Sequence, residues 1–244
     1  MIAIILAAGN ARRLLPQTAE IPKTLLRVGR QTIIEHILDA LREERITHIV
    51  VVTGHGEASL KRMLNEYTVR FPEMRIQTVY NDVYETAGNI VSLKRAAHLM
   101  PEDDVIIINS DTIFVQSILH DLIAEIHPHA FSVDNKKILG DEEMKVVLNA
   151  DGKITRIHKS IDPHSAFGEY IGLMKIGKNA AQSITDALQE VIAENNLLYY
   201  EDALQRAIDA YGIEFIAVPT HGRPAMEIDT QDDLDAAQEL IEKF

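Results

Sequence analysis

Four charged residues have the clearest chemical use in this sequence: the bases Arg13 and Lys23, and the acids Asp111 and Asp229. The bases follow a segment of small residues, Leu6-Ala7-Ala8-Gly9-Asn10-Ala11. Small side chains there let a ligand approach the backbone, and N–H groups in such a turn cradle phosphate oxygens. An arginine and a lysine beside it supply charge that counters a triphosphate. Asp111 closes an apolar run, Ile106-Ile107-Ile108-Asn109-Ser110-Asp111. A hard cation such as Mg²⁺ takes one or two carboxylates and completes its shell with phosphate oxygens. Each feature also has a plainer reading: a turn with two solvated bases, an acid in a turn, and for Asp229 a charge at a helix N-terminus.

The hydrophobic pattern supplies elements that bring these residues to one rim. Strands are predicted over 2–6, 46–53, 75–80 and 105–109, and helices over 33–44, 57–69 and 89–99. Thr32 with Glu35 three residues on has capping-box spacing. Continuous apolar strands separated by helices imply a parallel sheet with crossover helices. Ligands in such sheets bind at the carboxyl ends of the strands, where the 6–16 loop and Asp111 fall. The second half changes character. Segments 144–148 and 153–158 read as a β-hairpin with an Asp-Gly turn at Asp151-Gly152. Strands follow over 169–175 and 213–218, and helices over 178–194 and 200–209. Thr230, with Asp233 three residues on, caps a last helix that runs to the C-terminus. No repeat or linker-like stretch divides the 244 residues, so one domain is expected, with a nucleotide-binding half over 1–112 and an acceptor-binding half over 113–244.

Composition removes several alternatives. The net charge of −13 repels a nucleic-acid backbone, and the absence of cysteine excludes disulfides, thiolate metal sites and a cysteine nucleophile. The apolar N-terminus is short and lacks a basic region, so it reads as a strand and not as a signal peptide, and no run is long enough for a membrane helix. A cytoplasmic protein is expected. No Gly-Lys-Ser/Thr follows the loop, so it is not a P-loop. Only one of the three glycines of a dinucleotide fingerprint is present, and the second strand ends in Thr53-Gly54 without the acid an oxidoreductase needs. The ten histidines lack metal-ligand spacing and read as surface and loop residues.

The segment Leu6-Ala7-Ala8-Gly9-Asn10-Ala11-Arg12-Arg13-Leu14-Leu15-Pro16, then Pro22-Lys23, resembles the signature of the sugar-phosphate nucleotidyltransferase superfamily. Lys23-Thr24-Leu25-Leu26, Val28-Gly29 and Ile33-Ile34-Glu35-His36 extend the likeness. Segments 81–93, Glu169-Tyr170-Ile171-Gly172 and Glu227-Ile228-Asp229-Thr230 bring it closest to the phosphocholine cytidylyltransferase-like branch. The departure is Ala11, where the family carries its second glycine and where a methyl group is expected to alter the loop's φ/ψ or its approach to the phosphates.

The resemblance implies a single Rossmann-like α/β domain with a mostly parallel mixed sheet, and Mg²⁺-dependent transfer of a nucleotidyl group. Arg13 then matches the arginine that grips the triphosphate, Lys23 the lysine beside the α-phosphate, and Asp111 and Asp229 the two acids on one metal. Residues 6–11 with Asn81, Gly88, Asn89 and Ser110 form the nucleotide site, and Lys145, Glu169, Tyr170 and Glu227 contact the acceptor. The expected partners are CTP and a phosphorylated small molecule, either phosphocholine-like, a phosphonate, a polyol phosphate or a sugar phosphate. The products serve cell-surface polymer synthesis, and a homo-oligomer stays open. The absence of tryptophan weakens choline, which needs an aromatic cage. Two alternatives remain: a sugar-1-phosphate uridylyl-, thymidylyl- or guanylyltransferase, and a non-catalytic nucleotide-binding regulatory subunit.

Overall fold

Six consecutive apolar residues, Ile2–Ala7, form strand β1, buried along its whole length because helices cover both faces of the sheet. Ile2, Ile4 and Leu6 point into one core and Ala3, Ile5 and Ala7 into the other. Each buried Ile or Leu contributes about 1.5–3 kcal/mol. This computed structural model describes residues 1–241.

The remaining strands are β2 (Arg27–Val28), β3 (Gln31–Thr32), β4 (His48–Thr53), β5 (Arg75–Tyr80), β6 (Val105–Asn109), β7 (Thr112–Phe114), β8 (Ala130–Asp134), β9 (Lys145–Leu148), β10 (Lys153–His158), β11 (Gly168–Ile176), β12 (Phe215–Pro219) and β13 (Ala225–Glu227). The helices are α1 (Ile33–Glu43), α2 (Glu57–Arg70), α3 (Asn89–Ala96), α4 (Gln116–Ala124), α5 (Ala181–Glu194), α6 (Tyr200–Tyr211) and α7 (Gln231–Leu240). Nine strands make one sheet in the order β5-β4-β1-β6-β11-β8-β12-β10-β9. The first four are parallel, and β11 joins β6 antiparallel. Strand β9 also pairs with the start of β11, closing the last five strands into a ring. The chain leaves β1 towards β4 and later returns to β6 on the other side. The crevice between the ends of β1 and β6 is therefore a topological switch point, where such sheets bind ligands.

The first-half elements agree with the sequence to within a few residues. The capping box forms as spaced, with the Thr32 and Glu35 side chains each bonded to the other's backbone. One difference carries a physical reason. β7, α4 and β8 fill residues 112–134, where no element is expected, because α4 lacks a capping side chain and charge in its first turn. The β9–β10 hairpin forms as read to within a residue, with residues 149–152 connecting its strands. Asn149 Oδ1 accepts from the N–H groups of Asp151 and Lys153 and sets the bend, with Gly152 at φ 78°. The last helix is described to Leu240, and its expected run to the C-terminus lies outside the described residues. No helix among the described residues is long and apolar enough to cross a membrane.

His129 is buried, contrary to the surface reading of the histidines, and its Nδ1 accepts from the Gly177 N–H at 3.2 Å. Burial, with the His127 ring beside it, pushes its pKa down to about 4. The unfolded imidazole protonates near 6.5. Between these values the unfolded chain binds more protons, so stability falls as pH drops from about 6.5 to about 4. His129→Asn, which keeps a neutral acceptor, is expected to show a smaller loss of Tm between pH 7 and pH 5. Equal losses in wild type and variant would show that His129 does not titrate in that window.

Candidate active site

Asp111 and Asp229 lie 118 positions apart in sequence, and a two-stranded ribbon brings them together. β13 pairs antiparallel with β7, placing Glu227 opposite Thr112. The pairing continues as the Ile228 N–H donates to Asp111 O at 2.9 Å. Ile228 is fully buried and anchors the crossing. Asp229 then enters the α7 cap, its N–H bonded to Asp233 Oδ2, while the Thr230 hydroxyl and Asp233 close a capping box. Asp111 sits two residues beyond the end of β6. Both carboxylates converge on the Lys23 ammonium, at 2.8 Å from Asp111 Oδ2 and 2.7 Å from Asp229 Oδ1. Arg13 holds the other oxygen, Asp229 Oδ2, at 2.6 Å. Desolvation opposes the charged Lys23, but the two acids outweigh it and raise its pKa, and Lys23 and Arg13 hold the Asp229 carboxyl below its ordinary value.

The 8–26 loop is braced from beneath. His55 donates its N–H to Ala8 O and bonds Thr18 O through its ring, and a Cβ on Gly54 would lie 2.5 Å from Ala8 O. Gly54 is thus required by close packing, a need no local pattern reveals. Ala11 adopts the left-handed region, φ 42° and ψ 51°. A glycine is at ease there, while an alanine bears about 1–2 kcal/mol of strain. The conformation is held because Ala11 O accepts from the Leu14 N–H and the buried Thr18 hydroxyl. The methyl group thus sits in a left-handed turn that these two hydrogen bonds close.

A cleft open to solvent runs along this rim. Leu6, Ala7, Ala8, Gly9, Ala11, Lys23, Asn81, Gly88, Asn89, Ser110 and Asp111 line it, so most sequence-derived nucleotide and metal residues share one space. A Cβ on Gly9 would meet nothing within 4 Å, leaving its backbone open to the cleft. Asn10, Arg13, Asp229 and Glu227 are not in the lining, and Asp229 joins the site through Lys23. Asn81 is buried, with its amide donating to the Ser92 hydroxyl and its carbonyl accepting from the Val83 N–H. Gly88 does permit a close approach, but of protein: a Cβ there would lie 2.0 Å from Leu198 O. Asn109, which the sequence reading passes over, also lines the cleft.

Two acceptor assignments are corrected. Lys145 is fully buried, and its ammonium donates to the carbonyls of Gly140, Asp141 and Glu143. All three of its protons pin the 140–143 loop, so none is free for an acceptor phosphate. Tyr170 is likewise buried, packing on Phe131 with its hydroxyl bonded to Tyr200. Glu169 and Glu227 stay with the site. Lys137 binds Glu169 at 2.9 Å and is half exposed, an accessible lysine of this region that the sequence reading missed. Glu227 is exposed at the end of β13 and has no ion-pair partner among the described residues. Desolvation, with the charges of Asp111, Glu169 and Asp229, pushes it up to about 8.

The donor set fits a hard divalent cation. Asp111 Oδ1 is buried without a hydrogen-bond partner, and Asp111 and Asp229 already converge on one cationic centre. No group of three or more His, Cys, Asp or Glu residues suited to a metal occurs among the described residues. Two carboxylates suit Mg²⁺, which keeps waters and substrate phosphates in its shell.

The MobA-like NTP transferase domain matches residues 3–142. The choline-phosphate cytidylyltransferase of Streptococcus pneumoniae is 26% identical over 229 residues, spanning 84% of this chain and 94% of the relative. The CTP:phosphoglutamine cytidylyltransferase of Campylobacter jejuni is 26% identical over 243 residues, spanning 94% and 93%. Among solved structures, the inositol-1-phosphate CTP transferase from T. maritima superposes with a TM-score of 0.81 at 22% identity, over 99% of this chain and 95% of that one, a likeness of fold.

Proposed function

This chain belongs to the MobA-like NTP transferase family, and on that footing we propose that it is a Mg²⁺-dependent cytidylyltransferase joining CTP to a phosphorylated small molecule. Nucleotidyl transfer itself follows from the family and the relatives. The observation that carries the finer reading is the convergence of Asp111, Asp229 and Lys23 beside the 8–26 loop, at the switch point of the sheet. The names of the two relatives support CTP as the nucleotide. The acceptor is phosphocholine-like, a phosphonate, a polyol phosphate or a sugar phosphate, bound near Glu169 and Glu227. In this division of labour, residues 1–112 hold the nucleotide and residues 113–244 the acceptor.

The reaction needs no strong base, because a phosphate monoester is already anionic at neutral pH. An acceptor phosphate oxygen attacks the α-phosphorus, the bond to the β-bridging oxygen breaks, and pyrophosphate leaves. Asp111 and Asp229 would hold Mg²⁺, which would supply charge neutralisation for the phosphates. The open backbone of Gly9 and its neighbours receives the triphosphate, and Lys23 and Arg13 set positive charge at its edge. In the metal-free site Lys23 is protonated, since Asp111 and Asp229 raise its pKa above the ordinary lysine value against the cost of burial.

Thermal scans with each nucleoside triphosphate and Mg²⁺ test the base preference. A ligand at about 100 times its Kd stabilises by about 2.7 kcal/mol. CTP is expected to raise Tm by several degrees and more than UTP, dTTP or GTP at equal concentration. A larger shift with UTP or GTP overturns the cytidylyl assignment. Pyrophosphate release with CTP and a panel of phosphorylated acceptors then identifies the second substrate, and release with none of them removes the acceptor classes named here.

A further inference from the structure

The start of α6 reaches both sides of the cleft through a single residue. Tyr200 is fully buried. Its backbone N–H donates to Asn89 Oδ1 at 3.0 Å, and its hydroxyl donates to Asn109 Oδ1 at 3.0 Å. Asn89 begins α3 and Asn109 ends β6, and both line the cleft. With its own proton given to Asn109, the Tyr200 oxygen accepts from the Tyr170 hydroxyl, 3.0 Å away. Burial, with the Glu201 charge close by, pushes the Tyr200 phenol well above its ordinary pKa, so this donor stays protonated.

A carboxamide carries its acceptor and its donors on different arms. Holding Oδ1 against Tyr200 therefore turns Nδ2 away from Tyr200. Neither Asn89 Nδ2 nor Asn109 Nδ2 has a protein hydrogen-bond partner among the described residues, and neither is among the buried polar atoms left without one. Both N–H₂ groups are thus accessible, on residues that line the cleft. The packing is shaped around this orientation. A Cβ on Gly172, which lies at φ 77°, would sit 2.7 Å from Asn109 Nδ2. The Gly88 N–H donates to Asn196 O at 2.7 Å, locking the segment before α6 onto the cap of α3.

We propose that Tyr200 is a positioning residue: it fixes two carboxamides so that Asn89 and Asn109 each present N–H donors to oxygen acceptors of a bound nucleoside triphosphate. This rests on the nucleotidyltransferase reading of the cleft. Tyr200 itself touches no ligand. Without its hydroxyl, Asn109 is free to turn its carbonyl oxygen towards the nucleotide, where it repels the oxygens it would otherwise bind.

The test is a double-mutant cycle on the full chain, reading the Kd for CTP in the presence of Mg²⁺. One hydrogen bond is worth about 0.5–1.5 kcal/mol, so Tyr200→Phe is expected to weaken CTP binding about 3- to 10-fold, and Asn109→Ala by a similar factor. The double variant is expected to bind no worse than Asn109→Ala alone, because Tyr200 acts through that amide. Multiplying factors overturn the proposal, as does an unchanged Kd in folded Tyr200→Phe. A merely structural role lowers Tm in both backgrounds and gives no such coupling. Should Tyr200→Phe fail to fold because Tyr170 loses its acceptor, Tyr170→Phe/Tyr200→Phe removes both buried hydroxyls and carries the same comparison. If wild type binds none of the nucleoside triphosphates, the nucleotide reading fails before the cycle begins, and the proposal falls with it.

Discussion

Asp111→Asn is expected to lower kcat by about 10³-fold while leaving the fold intact. The substitution keeps the size and shape of the side chain. Its backbone carbonyl still accepts from the Ile228 N–H, so the ribbon that presents Asp229 is preserved. Only charge is lost. A metal that neutralises phosphates contributes several kcal/mol to transition-state stabilisation, and each 1.36 kcal/mol is tenfold in rate. A loss of about 4 kcal/mol gives the stated factor. The Mg²⁺ concentration for half-maximal activity is expected to rise at the same time. The Tm without metal should change little, because Lys23 retains Asp229 as a partner. Steady-state rates across a Mg²⁺ titration check both points. A kcat within tenfold of wild type would remove Asp111 from the metal site.

The elements that place Asp111 are legible in the sequence because their signals are local. An apolar run between turn residues marks β6, and the Thr32 and Thr230 boxes announce α1 and α7 within four residues each. The contacts that complete the site are not local. Nothing in Ala225-Met226-Glu227 indicates that it pairs with Thr112–Phe114, and only that pairing sets Asp229 beside Asp111. There the likeness to a family motif supplied what periodicity lacks. The same limit explains Lys145. A lysine in a hairpin strand reads as solvent-facing, since burying an ammonium is costly without partners. Its partners are three carbonyls of a loop with no pattern of its own.

Tyr170 shows a second kind of blindness. Alternation along a strand separates faces only when one face meets water. Every residue of β11 is buried or nearly so, and the strand lies inside the sheet. Glu169 and Tyr170 then look equally available, although one reaches the half-exposed Lys137 and the other closes the core. Ala11 is the converse case. The missing glycine is plain in the sequence, but its consequence depends on Thr18, whose hydroxyl holds the Ala11 carbonyl and keeps the left-handed turn.

Lys23→Met is the second substitution with a large expected effect, and it separates two roles of one ammonium. Lys23 lies between Asp111 and Asp229. Removing the cation leaves these carboxylates facing one another. Breaking a buried pair costs about 3–5 kcal/mol. The two acids are about a third exposed, which screens the loss to about 2–3 kcal/mol. The metal-free Tm is therefore expected to fall by several degrees. Mg²⁺ is expected to restore most of it, because a divalent cation held by the same acids stabilises the native state by mass action. Activity is expected to stay down by about 10²–10³-fold even with saturating Mg²⁺, since the charge beside the α-phosphate is not replaced. The pH dependence has a definite sign. The folded pKa of Lys23 is raised, so its stabilisation is present in full below the unfolded value near 10.4 and is lost only as pH rises through the folded value. Recovery of both Tm and kcat on adding Mg²⁺ would show that Lys23 acts only as a counterion to the acids and has no part in the transfer step.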